Sequence, residues 1–342
     1  MTPSRLRIGV LGASGFTGKE CLRLLGRHPA AELAFTMSAR SSEQRASHQG
    51  ALCEPRALPP DLTRVPGTDA VLLCAPPRVA AELTPELLER TRCVIDLSAG
   101  HRLRDVSLYE SHYGFAHPNP GLLDGAVYGL TEWARESLRG ARLVANPGCY
   151  ATGVLLPMRA LLSGGCLDPG SDIVADCKSG VSGAGKTLEA TTHFASVHED
   201  FRAYAVGRHR HEPEIRQELK SERIFFTPHL LPVFRGILAT IHVRPAPGLR
   251  AADLRAVLRE HYAAEPFVRI LEKELPCLSE VQHTNVCAIG LADHGDRVVV
   301  VSCLDNLVKG AAGQALQNLN AVFGLPEESG LETGSLAPQG WR

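Results

Sequence analysis

The sequence predicts an α/β protein: a doubly wound parallel sheet in the amino-terminal half, then an α+β domain whose sheet is mostly antiparallel. Three observations carry this. A short apolar strand ends in a glycine turn that opens a helix. Apolar runs of strand length then alternate with helical stretches up to residue 150. Beyond residue 162 the strand-like runs lie farther apart, with one amphipathic helix among them. Strands alternating with helices imply parallel pairing through right-handed crossovers, with both faces of the sheet covered.

Taken in order, Leu6-Arg7-Ile8-Gly9-Val10-Leu11 is the first strand and residues 12–18 are the turn. Cys21, Leu22, Leu24 and Leu25 then recur at helical spacing until His28-Pro29 breaks the pattern. Leu33, Phe35 and Met37 alternate as a second strand, and the apolar runs 70–75 and 93–97 flank a helix-like stretch over 79–89. Residues 142–145 read as a further strand ending at Asn146-Pro147-Gly148-Cys149, and 150–162 as a helix that Pro157 should kink. In the second half, 173–175, 224–227, 237–244 and 298–303 read as strands and 251–262 as the amphipathic helix. A last helix within 309–322 is rich in Ala and Gln and suited to close packing, and the residues after Pro326 read as a loose tail.

Length and charge narrow the function classes. The 342 residues are enough for two domains, and 36 Lys+Arg against 37 Asp+Glu give no attraction for nucleic acid or an acidic membrane surface. With 44% hydrophobic and 21% charged residues, no apolar run of about 18 residues and no signal-peptide pattern, the expectation is a cytoplasmic globular protein with a small-molecule substrate. The ten cysteines show no C-x-x-C pair, and several sit in apolar runs, which fits a reducing compartment.

Gly12, Gly15 and Gly18 follow a strand and open a helix. Backbone N–H groups and the helix dipole there meet a pyrophosphate without side chains in the way, as in a Rossmann-type domain; Ser14, Phe16 and Thr17 share the turn. An NAD site wants a carboxylate at the end of the second strand, about 20 residues on. This chain instead reads Thr36-Met37-Ser38-Ala39-Arg40-Ser41-Ser42, where Arg40, Ser38 and Ser41 can hold a 2′-phosphate, so the expected cofactor is NADP(H).

Cys149 differs from the other cysteines by position: it follows a parallel-type strand on a Pro-Gly turn, at the amino end of a helix whose dipole favours a thiolate. His209 and His211, in Arg208-His209-Arg210-His211-Glu212-Pro213-Glu214, offer two imidazoles for its proton; no third ligand at zinc spacing supports a metal. Ser179-Gly180-Val181-Ser182-Gly183-Ala184-Gly185-Lys186 is a small-residue loop ending in a cation. Its backbone amides and hydroxyls suit one phosphoryl group, such as that of an acyl phosphate. Arg235, alone between apolar strands, suits a carboxylate.

On these residues the chain resembles the N-acetyl-gamma-glutamyl-phosphate reductase family of acyl-phosphate reductases. The agreement runs nearly end to end: Gly12-Ala13-Ser14-Gly15, Asp96-Leu97-Ser98-Ala99, Pro147-Gly148-Cys149-Tyr150, His209-Arg210-His211, and Asp305-Asn306-Leu307-Val308-Lys309-Gly310-Ala311-Ala312. The resemblance implies a semialdehyde-dehydrogenase or glyceraldehyde-3-phosphate-dehydrogenase-like architecture, with residues 1–148 binding the nucleotide, 306–342 returning to complete that domain, and 149–305 carrying catalysis and oligomerisation. It implies Cys149 as nucleophile, His211 or His209 as acid/base, Ser98, Gly183, Asn306, Lys309 and Gly310 beside the cofactor, and Arg102, Ser179, Ser182, Lys186 and Arg235 toward the substrate. It further implies NADPH-dependent reduction of N-acetyl-L-glutamyl 5-phosphate through a cysteine thioester, in a homo-oligomer. Family members often have Asp-Phe-Arg-Leu where this chain has Gly100-His101-Arg102-Leu103. Alternatives are a related reductase of aspartyl phosphate or of a carrier-linked aminoadipyl or glutamyl phosphate, and, in another class, a non-catalytic NADP sensor. The carrier-linked enzymes carry Gly-Cys-Asn where Tyr150 follows Cys149 here.

Overall fold

The computed structural model describes residues 5–37, 57–58, 62, 65–186 and 193–334. Two compact units emerge: Met1–Pro147 with Ala311–Leu331, and Gly148–Gly310 with the described residues from Glu332 onward. The described residues form two seven-stranded sheets, one in each unit.

In the first unit β1 (Leu6–Leu11), α1 (Phe16–Leu25), β2 (Ala31–Met37), β3 (Ala57–Leu58), β4 (Thr68–Leu73), α2 (Pro77–Arg90), β5 (Thr91–Asp96), α3 (Ser107–Tyr113), β6 (Val127–Tyr128), α4 (Thr131–Leu138) and β7 (Leu143–Ala145) follow one another. The strand order is β3-β2-β1-β4-β5-β7-β6, and every pairing is parallel. Strands β4 and β5 are buried almost continuously, as expected for a sheet covered on both faces. The winding reverses between β1 and β4, so the turn after β1 stands at the switch point where open α/β sheets take their ligands.

The second unit runs α5 (Cys149–Ser163), β8 (Ile173–Gly180), α6 (Phe194–Val197), β9 (Arg202–Ala203), α7 (His211–Leu219), β10 (Ile224–Leu231), β11 (Ile237–Val243), α8 (Ala251–His261), β12 (Val268–Ile270), α9 (Leu278–Val281), β13 (Cys287–His294) and β14 (Arg297–Leu304). The order is β12-β13-β14-β11-β8-β10-β9, with four antiparallel and two parallel pairings. Helix α5 packs on β8, β11 and β14 and runs unbroken through Pro157, which is itself buried. Burial alternates along β10 and β11, so the side chains pointing away from α5 are more exposed. On that face Val174 and Phe225 are exposed, and Phe201 stacks on His229 with ring centroids 5.2 Å apart.

The chain then passes through a π-helical turn, Val308–Ala312, into α10 (Gly313–Phe323), whose residues are buried from Gly313 to Val322. Small residues alone do not account for this. Asn318 bonds to Thr131, Gly129 and Asn146, Gln317 to Glu132 and Glu327, and Asn320 to His28, so these three buried amides are answered by polar partners. The expected loose tail is ordered through residue 334. Glu327 pairs with Arg135, Asn320 donates to the carbonyls of Glu327 and Ser329, and Arg269 donates to those of Thr333 and Gly334.

Candidate active site

In the first unit the glycine turn is built by close backbone approach. Gly12 has φ of +80°, and a Cβ there would lie 2.2 Å from the Cys74 carbonyl oxygen; one on Gly18 would lie 2.4 Å from the Gly12 carbonyl oxygen. A Cβ on Gly15 would meet only the Gly12 oxygen, at 3.5 Å. Ser14, Phe16 and Thr17 are half-buried on the same turn, and α1 starts without a side-chain cap or an acidic residue in its first turn. Its amino end therefore fits an anionic group held by main chain. Ser38, Arg40 and Ser41 lie outside the described residues.

At the carboxyl end of β5, Ser98 donates its N–H to Asp96 Oδ1 at 2.8 Å, and its Oγ accepts from Gly100 N–H at 3.0 Å. Asp96 and His101 form a fully buried pair, Oδ2 to Nδ1 2.7 Å. Burial pushes the Asp96 carboxyl up, but the His101 bond and charge, joined by Ser98, outweigh it and hold the group below the usual carboxylate range. Arg102 is buried, donating from Nε to the Asn146 carbonyl at 2.8 Å and from Nη2 to that of Leu97 at 3.2 Å. It thus fastens the ends of two strands, where a substrate contact was expected.

In the second unit Cys149, half-buried, is the first residue of α5. Glu214, fully buried, accepts a hydrogen bond from the preceding Gly148 N–H at 2.7 Å. Glu214 lies on α7, one turn beyond His211, so this bond brings the start of α7 to the start of α5. Gly310 packs from the other side: a Cβ on it would lie 2.8 Å from the Cys149 Cβ. That places Gly310 against Cys149, whereas the resemblance implies only a place beside the cofactor.

The two histidines are not equivalent. His209 Nδ1 accepts from the His211 N–H at 3.1 Å, so the neutral ring carries its proton on Nε2, 3.3 Å from Tyr204 Oη. Tyr204 donates to Tyr150 Oη at 3.4 Å, and Tyr150 donates to the His229 carbonyl at 2.9 Å. Burial, with the charge of Arg210 behind it, pushes His209 down to about 4. Burial likewise raises Tyr204 to about 12 and Tyr150 well above the ordinary phenol, so the chain of bonds is neutral near pH 7. His211, also buried, has its ring 4.8 Å from that of His209 and 5.9 Å from that of Tyr150.

The second small-residue loop differs from the expected amide cradle. Gly180, Val181 and Ser182 donate their N–H groups to the carbonyls of Gly236, Val233 and Phe234, and Gly185 donates to Ser182. These four amides hold the loop together; among its side chains Ser182 Oγ accepts from Asn306 Nδ2 at 2.9 Å and keeps its own proton to donate, Ser179 Oγ donates to the Gly180 carbonyl at 3.1 Å, and Lys186 is exposed. Asn306 also accepts from Gly236 N–H at 2.7 Å. Arg235 is not a lone cation: Nη1 bonds to the buried carboxylate of Asp305 at 3.0 Å. Lys309 is fully buried, its ammonium 5.8 Å above the Phe267 ring.

Sequence reasoning missed Glu214, Tyr204 and Asp305. The His-x-x-Glu spacing of 211 and 214 was a usable signal for the first; the others carry none. Among the described residues no group of three or more His, Cys, Asp or Glu could hold a metal ion, and no helix is long and apolar enough to cross a membrane.

A parallel sheet with a glycine turn at its switch point, and a mixed sheet covered by a helix that begins with a cysteine, define an oxidoreductase of the semialdehyde dehydrogenase class. Residues 7–141 match the model for the semialdehyde dehydrogenase NAD binding domain, and 149–306 that for the semialdehyde dehydrogenase dimerisation domain. Solved structures of aspartate semialdehyde dehydrogenases share the fold: enzyme II from Vibrio cholerae at TM-score 0.70 and 17% identity, and the enzyme with NADP from Candida albicans at 0.64 and 16%, each covering 93% of this chain and 98% of the other. Within that class the chain belongs to the N-acetyl-gamma-glutamyl-phosphate reductase family. It is 44% identical to members from Magnetococcus marinus and Halorhodospira halophila, over 97% of this chain and 99% and 100% of theirs.

Proposed function

We propose that the protein reduces N-acetyl-L-glutamyl 5-phosphate with NADPH to N-acetyl-L-glutamate 5-semialdehyde and phosphate, a cytoplasmic step of arginine biosynthesis. The observation that carries the chemistry is the Glu214 bond to Gly148, which sets the His211 helix beside Cys149; the names of the relatives supply the substrate. Arg40 with no acid in residues 36–42 favours NADPH, in keeping with the NADP of the Candida albicans structure.

His211 takes the Cys149 proton, and the thiolate attacks the acyl carbon. The carbon–oxygen bond to phosphate breaks, Ser179, Ser182 and Lys186 receive the departing group, and a thioester on Cys149 remains. NADPH, when bound, supplies the hydride. Protonated His211 stabilises the oxyanion by its charge until collapse releases aldehyde and thiolate. His209 is a poor acid/base at neutral pH because burial keeps it uncharged and Nδ1 is already engaged; its role is to hold the His211 backbone. The exposed sheet face around Val174, Phe225 and Phe201 is the proposed contact of a homo-oligomer, dimer or tetramer, which the matched dimerisation-domain model supports.

Phosphate-dependent reduction of NADP⁺ tests the substrate. N-acetylglutamate semialdehyde should exceed aspartate semialdehyde by at least about tenfold in kcat/KM, and the opposite preference overturns the assignment.

A further inference from the structure

Two cysteines that the proposed mechanism does not use meet at the nucleotide turn. Cys21, fully buried on α1, and Cys74, half-buried just after β4, have their sulfurs 3.9 Å apart, within thiol hydrogen-bond reach. The Cys74 N–H donates to the Leu11 carbonyl at 2.8 Å, and Gly12 is in backbone contact with Cys74, since a Cβ on it would lie 2.2 Å from the Cys74 oxygen and 3.2 Å from the Cys74 Cβ. The thiol pair therefore joins the end of β4, the glycine turn and the helix that follows. A disulfide needs sulfurs about 2.05 Å apart, so closing this pair moves the two side chains toward each other. Gly12 packs directly on Cys74, so a shift of Cys74 bears on the turn.

We propose that Cys21 and Cys74 are a redox pair whose closure to a disulfide weakens nucleotide binding at the glycine turn. The inference rests on the NADPH reading above for its consequence, and on the sulfur geometry for the bond itself. The oxidant is a low-molecular-weight disulfide. The more accessible Cys74, as thiolate, attacks one of its sulfurs, releasing one small thiol and leaving a mixed disulfide. Cys21 then gives up its proton and attacks Cys74 Sγ, releasing the second small thiol. Two protein thiols lose two electrons and two protons, and the small disulfide becomes two thiols. The Cys74 bond, followed by burial, holds the Cys21 thiol well above the ordinary range, consistent with Cys74 reacting first. By linkage, bound NADPH should disfavour the closed disulfide at equilibrium by the same factor.

The test uses full-length protein carrying Cys149→Ala, so that the nucleophile does not compete, treated with oxidised glutathione. Peptide mapping should find a Cys21–Cys74 link with loss of two hydrogens. The NADPH Kd, read by fluorescence, should rise at least about tenfold and recover with dithiothreitol, and adding Cys21→Ala or, if that variant does not fold, Cys74→Ser should abolish the rise. Absence of the link overturns the proposal, as does a link that leaves Kd unchanged. If reduced protein does not bind NADPH at all, the cofactor reading falls instead, and the peptide map alone then upholds or overturns the pair.

Discussion

At the end of β1 the first unit offers main chain: three glycines, each placed by how closely backbone approaches backbone or a helix must open. At the starts of α5 and α7 the second unit offers side chains held by other side chains and by main chain, with Glu214 on Gly148, His209 under His211, and Tyr204 linking His209 to Tyr150. The sheets differ in the same sense. The first is parallel and buried almost throughout, so its strand ends are fixed by the whole core. The second alternates along β10 and β11, leaving side chains free to be specialised. Changes in the first unit should therefore register as affinity for the nucleotide, and changes in the second as rate.

Four substitution experiments test that division. Cys149→Ser should lower kcat by at least about 10³-fold while leaving the NADPH Kd in place, and near-wild-type turnover would refute the nucleophile. His211→Asn should cost about 10²–10⁴ in kcat, with His209→Asn costing less; the reverse order would transfer the acid/base role to His209. The division is probed most directly by one substitution made twice. Gly310→Ala pushes on the Cys149 Cβ and should cut kcat about 10-fold or more, whereas Gly18→Ala pushes on the Gly12 carbonyl and should raise the NADPH KM by a similar factor. Identical kinetic signatures from the two would erase the distinction. The smallest effect is on stability. His209 drops from the ordinary 6.5 to about 4 on folding. Between those pH values the unfolded chain binds a proton that the folded chain does not, so stability is lost as pH falls through the window, by at most on the order of 3 kcal/mol. Calorimetric Tm should fall less steeply over that range in His209→Asn, and an unchanged slope would contradict the burial.

The first unit was the more legible in sequence because strands covered on both faces are nearly continuous apolar runs, and a glycine turn between strand and helix has few other uses. The place of Cys149 at the start of a helix was legible for a similar reason: Pro-Gly before it and a helix after it are local signals. Strand β13 escaped because Cys-Ala-Ile-Gly-Leu-Ala-Asp-His has few β-branched residues. It is set by its neighbours, with Gly290 so close to the 274–275 backbone that a Cβ would lie 2.6 Å from the Glu274 oxygen. Glu214, one acid among 37 acidic residues, acquires its role only when α7 meets α5. Arg102 and Arg235 read as available cations because their partners, two backbone carbonyls and a distant aspartate, are contributed by the fold.

Helix α10 gives this arrangement an order in time. The ribosome releases residues 148–310 before the segment 311–331 that the first unit includes. Until Gln317, Asn318 and Asn320 arrive, Glu132, Thr131 and His28 lack the partners that answer them in the finished core. The unit that starts the chain is thus finished only after residues 148–310 have been made, and the second unit, whose Asn285 and Arg269 wait for residues 332–334, closes last.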